Sequence, residues 1–340
     1  MTQHAQPREI FGATKDGQSV YRVQLTGGGL SASIITWGAA LQDLRLDGHK
    51  APLVLGFDNF DDYPAHSPYF GAIPGRVANR IGNAKFKIDG KNYKVDANIN
   101  GKHTLHGGTK GIGKRNWQIA DLGTSHVDLT LTDPDGTMGF PGTCEMTCSY
   151  VLKDDGILHI SLTTRSDAPT IANLTHHSYF NLDGGSDNRD HTVQIFADNI
   201  TEVDSDYIPT GKLIPVEGTA HDFRTPKRIG QDLTDDTIYD HNFCLANERR
   251  NLQDVAMAHS DKSGITMNIA TTEPGLQFYA GHKVSTPAGL MGEPYKTYSG
   301  FCFEAQNWPD AINQKDFPNA ILRPDEELRQ ITEYRFSKNT

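Results

Sequence analysis

The chain has 340 residues, of which 36% are hydrophobic and 22% are charged, enough apolar material for a large buried core. It carries 32 Lys and Arg against 42 Asp and Glu, a net charge of −10. The chain therefore lacks the basic surface that nucleic acids and anionic membranes require, and we expect neither as a partner.

Alternation of apolar and polar residues, typical of half-buried strands, recurs along the whole chain. In chain order the apolar positions are Tyr21, Val23 and Leu25; Val127, Leu129 and Leu131; Cys144, Met146, Cys148 and Tyr150; Leu158, Ile160 and Leu162; Val193 and Ile195; and Ile265, Met267 and Ile269. Asp89-Gly90 separates two further runs and predicts a hairpin over residues 86–95. Helical periodicity is scarce, and the best two candidates are Pro226–Leu233 and Pro309–Gln314.

Many short antiparallel strands with few helices predict an all-β fold, as a large sandwich or a barrel-like architecture. No charge block, serine-rich linker or internal repeat divides the sequence. We therefore expect residues 1–340 to form one domain, with about the first ten residues loosely ordered.

Targeting signals are not evident in the sequence. The N-terminal residues have no apolar core of a signal peptide, and the longest apolar stretch, Ile34–Leu41, is far shorter than the ~20 residues that span a bilayer. We expect a cytoplasmic protein that does not associate with membranes.

The cysteines are interpreted as free thiols. Cys144 and Cys148 on one face of a strand would be about 13 Å apart, too far for a disulfide. Cys244 and Cys302 complete the set. We expect thiols in a reducing compartment, with a zinc site as the alternative.

Five segments place polar groups inside apolar or glycine-bounded stretches. They are residues 75–81 (GRVANRI), 104–108 (TLHGG), 173–182 (NLTHHSYFNL), 239–243 (YDHNF) and 301–309 (FCFEAQNWP). Glu304 lies between Phe303 and Ala305 in a segment that otherwise looks like a buried strand, where a carboxylate must be paired, hydrogen-bonded or functional. From the residues alone, Glu304 could equally be a buried ion-pair partner and His177 a hydrogen-bonded core residue.

A metal site is not expected in these segments. His176 and His177 are adjacent, so on a strand they point to opposite faces and cannot easily bind one ion. The sequence also lacks HExxH and paired Cys/His spacings.

The motifs GRVANRI, LHGG, NLTxHSYFNL, DHNF, QFY and ExQNWPD follow one another along the chain, and LRPDEE comes after them at residues 322–327. In this order, and over nearly the whole chain, the sequence resembles the aldose 1-epimerase (galactose mutarotase) family. The resemblance implies a large antiparallel β-sandwich of the galactose mutarotase-like type. It also implies an enzyme that interconverts the α and β anomers of free aldohexoses such as galactose and glucose.

The resemblance implies that Glu304 is the base at the anomeric hydroxyl and that His177 is the acid at the ring oxygen. The positions that match the family's sugar-binding residues are Asn79, Arg80, His106, Ser178, Tyr179, Asp240 and Gln277. Arg76 lies in the same segment as Arg80 but does not match a site position. Ring opening, rotation about C1–C2 and reclosure need only an acid and a base, so we expect no cofactor.

The chain departs from the family at His176, where the family commonly has Asn. A second histidine could tune the pKa of His177 or could fill an outward-facing position. We expect the second role.

Three alternatives remain open. A hexose-6-phosphate 1-epimerase would need cations near the C6 phosphate, for which Lys110, Lys114 and Arg115 are candidates. A non-catalytic sugar-binding module would keep the pocket but lose the chemistry, and a glycosidase could use Glu304 and Asp240 as its two carboxylates. We expect a monosaccharide as the small-molecule partner and a monomer or homodimer as the assembly, whereas the sequence does not identify the preferred sugar.

Overall fold

The computed structural model describes residues 8–234 and 237–338. The expectation of a loosely ordered N-terminal segment falls mainly on residues 1–7, which lie outside the described residues. Arg8–Ala13, the first described residues, form a strand that pairs antiparallel with Ser19–Gly27.

Strands make up most of the regular structure. In chain order they are β1 (Arg8–Ala13), β2 (Ser19–Gly27), β3 (Leu30–Ile35), β4 (Ala40–Leu46), β5 (Arg80–Ile81), β6 (Lys85–Ile88), β7 (Lys91–Lys94), β8 (Thr104–Leu105), β9 (Gln118–Leu122), β10 (His126–Asp133), β11 (Cys144–Lys153), β12 (Ile157–Ser166), β13 (Thr170–Ile171), β14 (Thr192–Ile195), β15 (Asn199–Val203), β16 (Pro209–Pro215), β17 (Lys227–Arg228), β18 (Asp240–Cys244), β19 (Gln253–Ser260), β20 (Ile265–Thr271), β21 (Gly275–Tyr279), β22 (Cys302–Gln306), β23 (Ile321–Leu322) and β24 (Leu328–Lys338). The α-helix α1 (Asp62–His66) is one short turn. Single 3₁₀ turns lie at Gly82–Ala84, Ile112–Lys114, Thr137–Gly139, Leu290–Gly292 and Ala311–Asn313. The prediction of an all-β fold with few short helices is confirmed.

Three sheets hold most of the strands. One has the order β1-β2-β3-β4, a second β17-β14-β19-β20-β24-β12-β11-β10-β9, and a third β16-β15-β18-β21-β22. All strand pairs in these sheets are antiparallel. A single cluster of buried apolar side chains draws on all three, for example Leu25, Ile160 and Phe278. The sheets therefore pack against a common core, as a large β-sandwich requires.

The alternating runs form strands as predicted, because each buries its apolar side. In β11, Cys144, Met146, Cys148 and Tyr150 are buried and the intervening residues are not. The hairpin is also confirmed. β6 pairs with β7 across Asp89-Gly90, and both turn residues have the positive φ that a tight type I′ turn needs, 49° and 85°.

The cysteine prediction is confirmed as far as pairing is concerned. All four are free thiols; Cys144, Cys148 and Cys302 are buried, and Cys244 is half-buried. Burial raises the pKa of Cys148 because a thiolate would be desolvated there.

The two helix predictions need correction. Lys227 and Arg228 are in β17, which pairs with Thr192 and Val193 at the edge of the nine-stranded sheet, so Pro226–Leu233 is not a helix. In Pro309–Gln314 only one 3₁₀ turn forms, because Asp310 adopts left-handed φ and ψ of 56° and 20° that no right-handed helix can pass through. Within residues 8–234 and 237–338, no helix has the length and apolarity needed to cross a membrane.

Candidate active site

Three neighbouring strands, β18, β21 and β22, build the floor of the candidate site. Their apolar side chains, such as Phe243, Phe278 and Phe303, belong to the core. Because side chains alternate along a strand, the opposite face carries the polar residues. The register places Gln277 beside Glu304, and Gln277 Nε2 donates to Asp240 Oδ1 at 2.7 Å.

Glu304 is buried at the centre of this polar face, with 3% of its surface exposed. Its Oε2 has no hydrogen-bond partner in the described part of the chain. Burial raises the pKa of Glu304 well above the usual range, and the negative charge of Asp240 adds to this effect while the positive charge of Arg80 opposes it. A buried carboxylate with an unused oxygen is poised to accept a proton.

His177 approaches Glu304 from an irregular segment that crosses above the strands. Its backbone N–H donates to the Ala72 carbonyl and its own carbonyl accepts from Gly71 N–H, each at 3.0 Å. These two bonds fix the backbone at His177, and the ring Nε2 lies 3.6 Å from Glu304 Oε2. The other ring nitrogen, Nδ1, contacts the Cys302 thiol sulfur at 3.6 Å.

The imidazole of His177 is buried, and burial lowers its pKa to about 4, although a backbone hydrogen bond and Asp240 act in the opposite direction. The same desolvation raises the pKa of Glu304. Desolvation therefore favours the neutral forms of both groups, with the one proton of the pair on Glu304. Transfer of this proton to His177 would leave the net charge of the pair unchanged.

His106 faces the same pocket from the turn after β8. Its Nδ1 accepts from the backbone N–H of Asn79 at 3.2 Å, and the backbone N–H of His106 donates to the Asn79 carbonyl at 2.9 Å. Burial lowers the pKa of His106 well below its usual value, so the ring is neutral. With Nδ1 accepting, Nε2 carries the hydrogen and can donate to a ligand.

Arg80 is held over the floor by groups on both sides. Its Nη2 lies 3.9 Å from Asp240 Oδ2, and its guanidinium packs on the Tyr207 ring at 5.1 Å. Asn79 Oδ1 accepts from the Arg80 backbone N–H at 2.9 Å. The predicted site residues Asn79, Arg80, His106, His177, Asp240, Gln277 and Glu304 are thus linked in one network of contacts, and their individual roles remain predictions.

Ser178 and Tyr179 use their hydroxyls within the protein. Ser178 Oγ lies 3.1 Å from His176 Nε2, and the Tyr179 hydroxyl donates to the Pro68 carbonyl at 3.0 Å. The Tyr179 ring stacks on His177 at 5.1 Å. These contacts show how both residues support the histidine segment, and their predicted binding to sugar remains a prediction.

The expectation that His176 fills an outward-facing position is wrong. Its side chain is buried and packs at 5.8 Å against both Tyr150 and Tyr334, on the core side of the segment. Adjacent residues of an extended segment point in opposite directions. Because His177 points to the pocket, His176 must point into the core.

Arg76 is separate from the site, as expected. It is buried, and its guanidinium bonds Asp133 and the carbonyls of Pro141 and Gly142. Arg115 also pairs with Asp133, at 2.7 Å. Neither arginine is available to a ligand in the pocket.

Two residues that contact the site were not identified from the sequence. Cys302 was interpreted only as a core thiol, although the two-residue spacing to Glu304 places both on one face of β22. The Tyr69 ring contacts His106 in a tilted arrangement at 4.7 Å and stacks on His177 at 6.0 Å. Tyr69 has a positive φ of 72°, and no pattern in the sequence signals it.

Comparison with known proteins gives the relatives of this chain. A family model described as aldose 1-epimerase matches residues 21–335. Galactose mutarotase from Rattus norvegicus is 41% identical, covering 97% of this chain and 98% of the relative. Aldose 1-epimerase from Escherichia coli is 36% identical, covering 94% of this chain and 96% of the relative. The resemblance drawn from the motifs is confirmed.

Solved structures of related proteins have a similar fold. An aldose epimerase homologue from C. elegans has a TM-score of 0.88 at 31% identity, covering 94% of this chain and 99% of the other. Galactose 1-epimerase from Lactobacillus acidophilus has a TM-score of 0.85 at 28% identity, covering 99% and 100%. These similarities confirm the galactose mutarotase-like type of the β-sandwich.

Proposed function

The chain belongs to the aldose 1-epimerase family, and we propose that its pocket interconverts the α and β anomers of free aldohexoses such as galactose and glucose. The observation that carries the proposal is the approach of His177 Nε2 to within 3.6 Å of Glu304 Oε2 in a buried pocket. The anomeric and ring oxygens of a pyranose are bonded to the same carbon. A base at one oxygen and an acid at the other must therefore converge closely, as these two atoms do.

In the proposed mechanism Glu304 removes the proton of the anomeric hydroxyl while His177 protonates the ring oxygen. The C1–O5 bond breaks, and a carbonyl forms at C1. Rotation about C1–C2 then presents the other carbonyl face, and the two proton transfers run in reverse as the ring closes. Atoms and protons balance within the pair and the sugar, so this chemistry needs no oxidant or reductant.

Neighbouring charges act on the distribution of the shared proton. Asp240 favours the imidazolium form of His177 but also the protonated form of Glu304, whereas Arg80 favours the carboxylate form of Glu304. The effects of Asp240 on His177 and of Arg80 on Glu304 oppose desolvation, which favours the neutral forms. We therefore assign Arg80 and Asp240 an electrostatic role besides binding sugar hydroxyls.

The remaining residues are proposed to bind the hydroxyls of the sugar. His106 presents an N–H, as its tautomer requires, and Gln277 and Asp240 present an amide and a carboxylate. Donors and acceptors that are already ordered bind a polyol with little further loss of side-chain entropy. Asn79 contributes by holding Arg80 through its amide oxygen.

The proposal is tested by polarimetry on freshly dissolved α-galactose and α-glucose. Glu304→Gln and His177→Asn should each lower kcat by ~10²–10⁴, because each removes a proton-transfer group. Glu145→Gln, at an exposed position of β11, is the matched control and should keep the wild-type rate. Wild-type rates in either pocket variant, with the control equally active, would refute the assignment.

The phosphorylated-sugar alternative is less well supported. Of its three candidate cations, Arg115 is committed to Asp133, and Lys114 packs on the Tyr69 ring at 5.3 Å, with a pKa lowered by burial. Lys110 is exposed. Turnover of hexose 6-phosphate faster than of the free sugar would favour this alternative.

Location and assembly are proposed on simpler grounds. We propose that the protein works in hexose metabolism in the cytoplasm, where its four unpaired cysteines would stay reduced, and as a monomer or homodimer. Cell fractionation and light scattering test these two points.

A further inference from the structure

Three buried side chains converge in the pocket in a way that acid–base catalysis alone does not require. His106, His177 and Glu304 each offer one possible metal-ligating atom, and these atoms all lie within 4.8 Å of one another. The residues are 6%, 4% and 3% exposed. Two imidazoles and one carboxylate form a donor set that binds Zn²⁺ and leaves the fourth tetrahedral position open.

The nitrogen that each histidine does not need for metal binding is already in contact with the protein. His106 Nδ1 accepts from Asn79 N–H at 3.2 Å, and His177 Nδ1 contacts Cys302 Sγ at 3.6 Å. Metal-binding histidines are usually oriented in this way by a partner on the second nitrogen. In both rings Nε2 is the remaining ligand atom.

Glu304 supplies an independent observation. Its Oε2 is buried, lacks a hydrogen-bond partner among the described residues and faces His177 Nε2 at 3.6 Å. In a tetrahedral zinc site, ligand atoms at the usual bond lengths are about 3.3 Å apart. The His177–Glu304 pair is close to that separation, and a small side-chain adjustment of His106 would complete the set.

The charges around the cluster act in both directions. Asp240 acts on both Glu304 and His177 and favours a cation between them. Arg80 and Lys114 act on His106 and oppose it. Since Arg80 already lies 3.9 Å from Asp240, its charge is partly offset.

We propose that His106, His177 and Glu304 bind one divalent transition-metal ion, such as Zn²⁺, when the pocket holds no sugar. The ion is an inhibitor and not a cofactor, because it occupies the groups that would transfer protons. Metal and sugar therefore exclude each other. The inhibition rests on the proposed function, whereas the binding does not.

Binding is tested with Co²⁺ as a spectroscopic probe on untagged full-length protein. We expect visible d–d bands of tetrahedral intensity, saturation at one ion per chain, and their loss when Zn²⁺ or excess galactose is added. His106→Asn and Glu304→Gln should weaken binding at least tenfold, and Glu145→Gln should not change it. Octahedral weak bands, or equal binding by all these proteins, would overturn the site.

A polarimetric assay separates this proposal from the proposed function. Zn²⁺ should raise the apparent KM for galactose, and a chelator should restore it. Active protein that neither binds Co²⁺ nor responds to Zn²⁺ would overturn the metal site and leave the epimerase function standing. Co²⁺ binding by a protein without epimerase activity would do the reverse.

Discussion

At the scale of single residues, the orientation of His177 depends on what its second ring nitrogen contacts. Nδ1 lies 3.6 Å from the Cys302 sulfur, and Cys302 is fully buried. Burial and the nearby Glu304 raise the pKa of that thiol well above its usual value, so it stays protonated. A thiol both donates and accepts weakly, and it can remain in contact with His177 whichever protonation state the ring adopts.

We expect Cys302→Ala to lower kcat by about tenfold with little change in KM, because the ring loses its orienting partner but the sugar contacts remain. Cys302→Ser should recover most of the rate, since a hydroxyl has the same donor and acceptor capacity. Polarimetric kinetics and thermal melts of both variants check this. Equal losses of kcat in Cys302→Ser and Cys302→Ala would show that Cys302 acts only through packing.

At the scale of elements, the segment that carries His177 is held by backbone hydrogen bonds at Asn173 and His177 and by a side chain at Leu174. Gln330 on β24 accepts from Leu174 N–H and donates to the Leu174 carbonyl, both at 2.8 Å. Gln330 also donates to Glu273, which is fully buried and pairs with Arg249. One side chain on the nine-stranded sheet thus fixes the backbone three residues before His177.

Gln330→Ala should lower the free energy of unfolding by about 2–4 kcal/mol, because two buried backbone groups of Leu174 lose their partner. Gln118→Ala, at an exposed position of β9, should change it by less than about 0.5 kcal/mol. Urea denaturation of both variants checks the difference. Similar stabilities would mean that the segment is held by its other contacts.

The strands could be predicted from the sequence because alternation is a local property. The helix at Pro309–Gln314 could not be excluded, because the left-handed conformation of Asp310 is held by distant contacts. Asp310 Oδ1 accepts from Gly82 N–H at 2.8 Å, and the Asp310 backbone N–H donates to the Arg80 carbonyl at 3.1 Å.

The candidate site could be predicted from the sequence only in part. Glu304 stands out locally as a carboxylate in an apolar strand. The contacts of His177 with Cys302, and of His106 with Asn79, join residues far apart in the chain, and packing alone brings them together. The inward direction of His176 follows once the direction of His177 is known.

At the scale of the whole molecule, several histidines are buried in neutral form. Burial lowers the pKa of His176 to about 3 and those of His177 and His221 to about 4, against about 6.5 in an unfolded chain. Between these values the unfolded state binds protons that the folded state does not. The contribution of these histidines to the free energy of unfolding is therefore fully present above about pH 6.5 and is lost as the pH falls toward 4.

We expect the free energy of unfolding to fall by several kcal/mol between pH 7 and pH 4.5. The raised pKa values of four largely buried carboxyl groups among the described residues, those of Asp43, Glu273, Glu304 and Asp310, act in the opposite sense. The histidines with lowered pKa values outnumber them. Urea titrations at a series of pH values check this, and His176→Asn should reduce the slope. If the whole loss occurred below pH 4, carboxylates rather than histidines would be responsible.

The same titrations test the domain organisation. We propose that the chain unfolds as one domain, because a single cluster of buried side chains draws on the three main sheets. One cooperative transition by fluorescence and circular dichroism is expected, whereas two separate transitions would indicate two units.

The central claim is that Glu304 and His177 share one proton and act as a unit on one sugar. The most direct measurement is a double-mutant cycle of kcat/KM for α-galactose, using Glu304→Gln, His177→Asn and the double variant. We predict ~10²–10⁴-fold losses for each single variant and a double variant no more than about tenfold below the slower one. A double variant whose loss equals the product of the two single losses would contradict the claim.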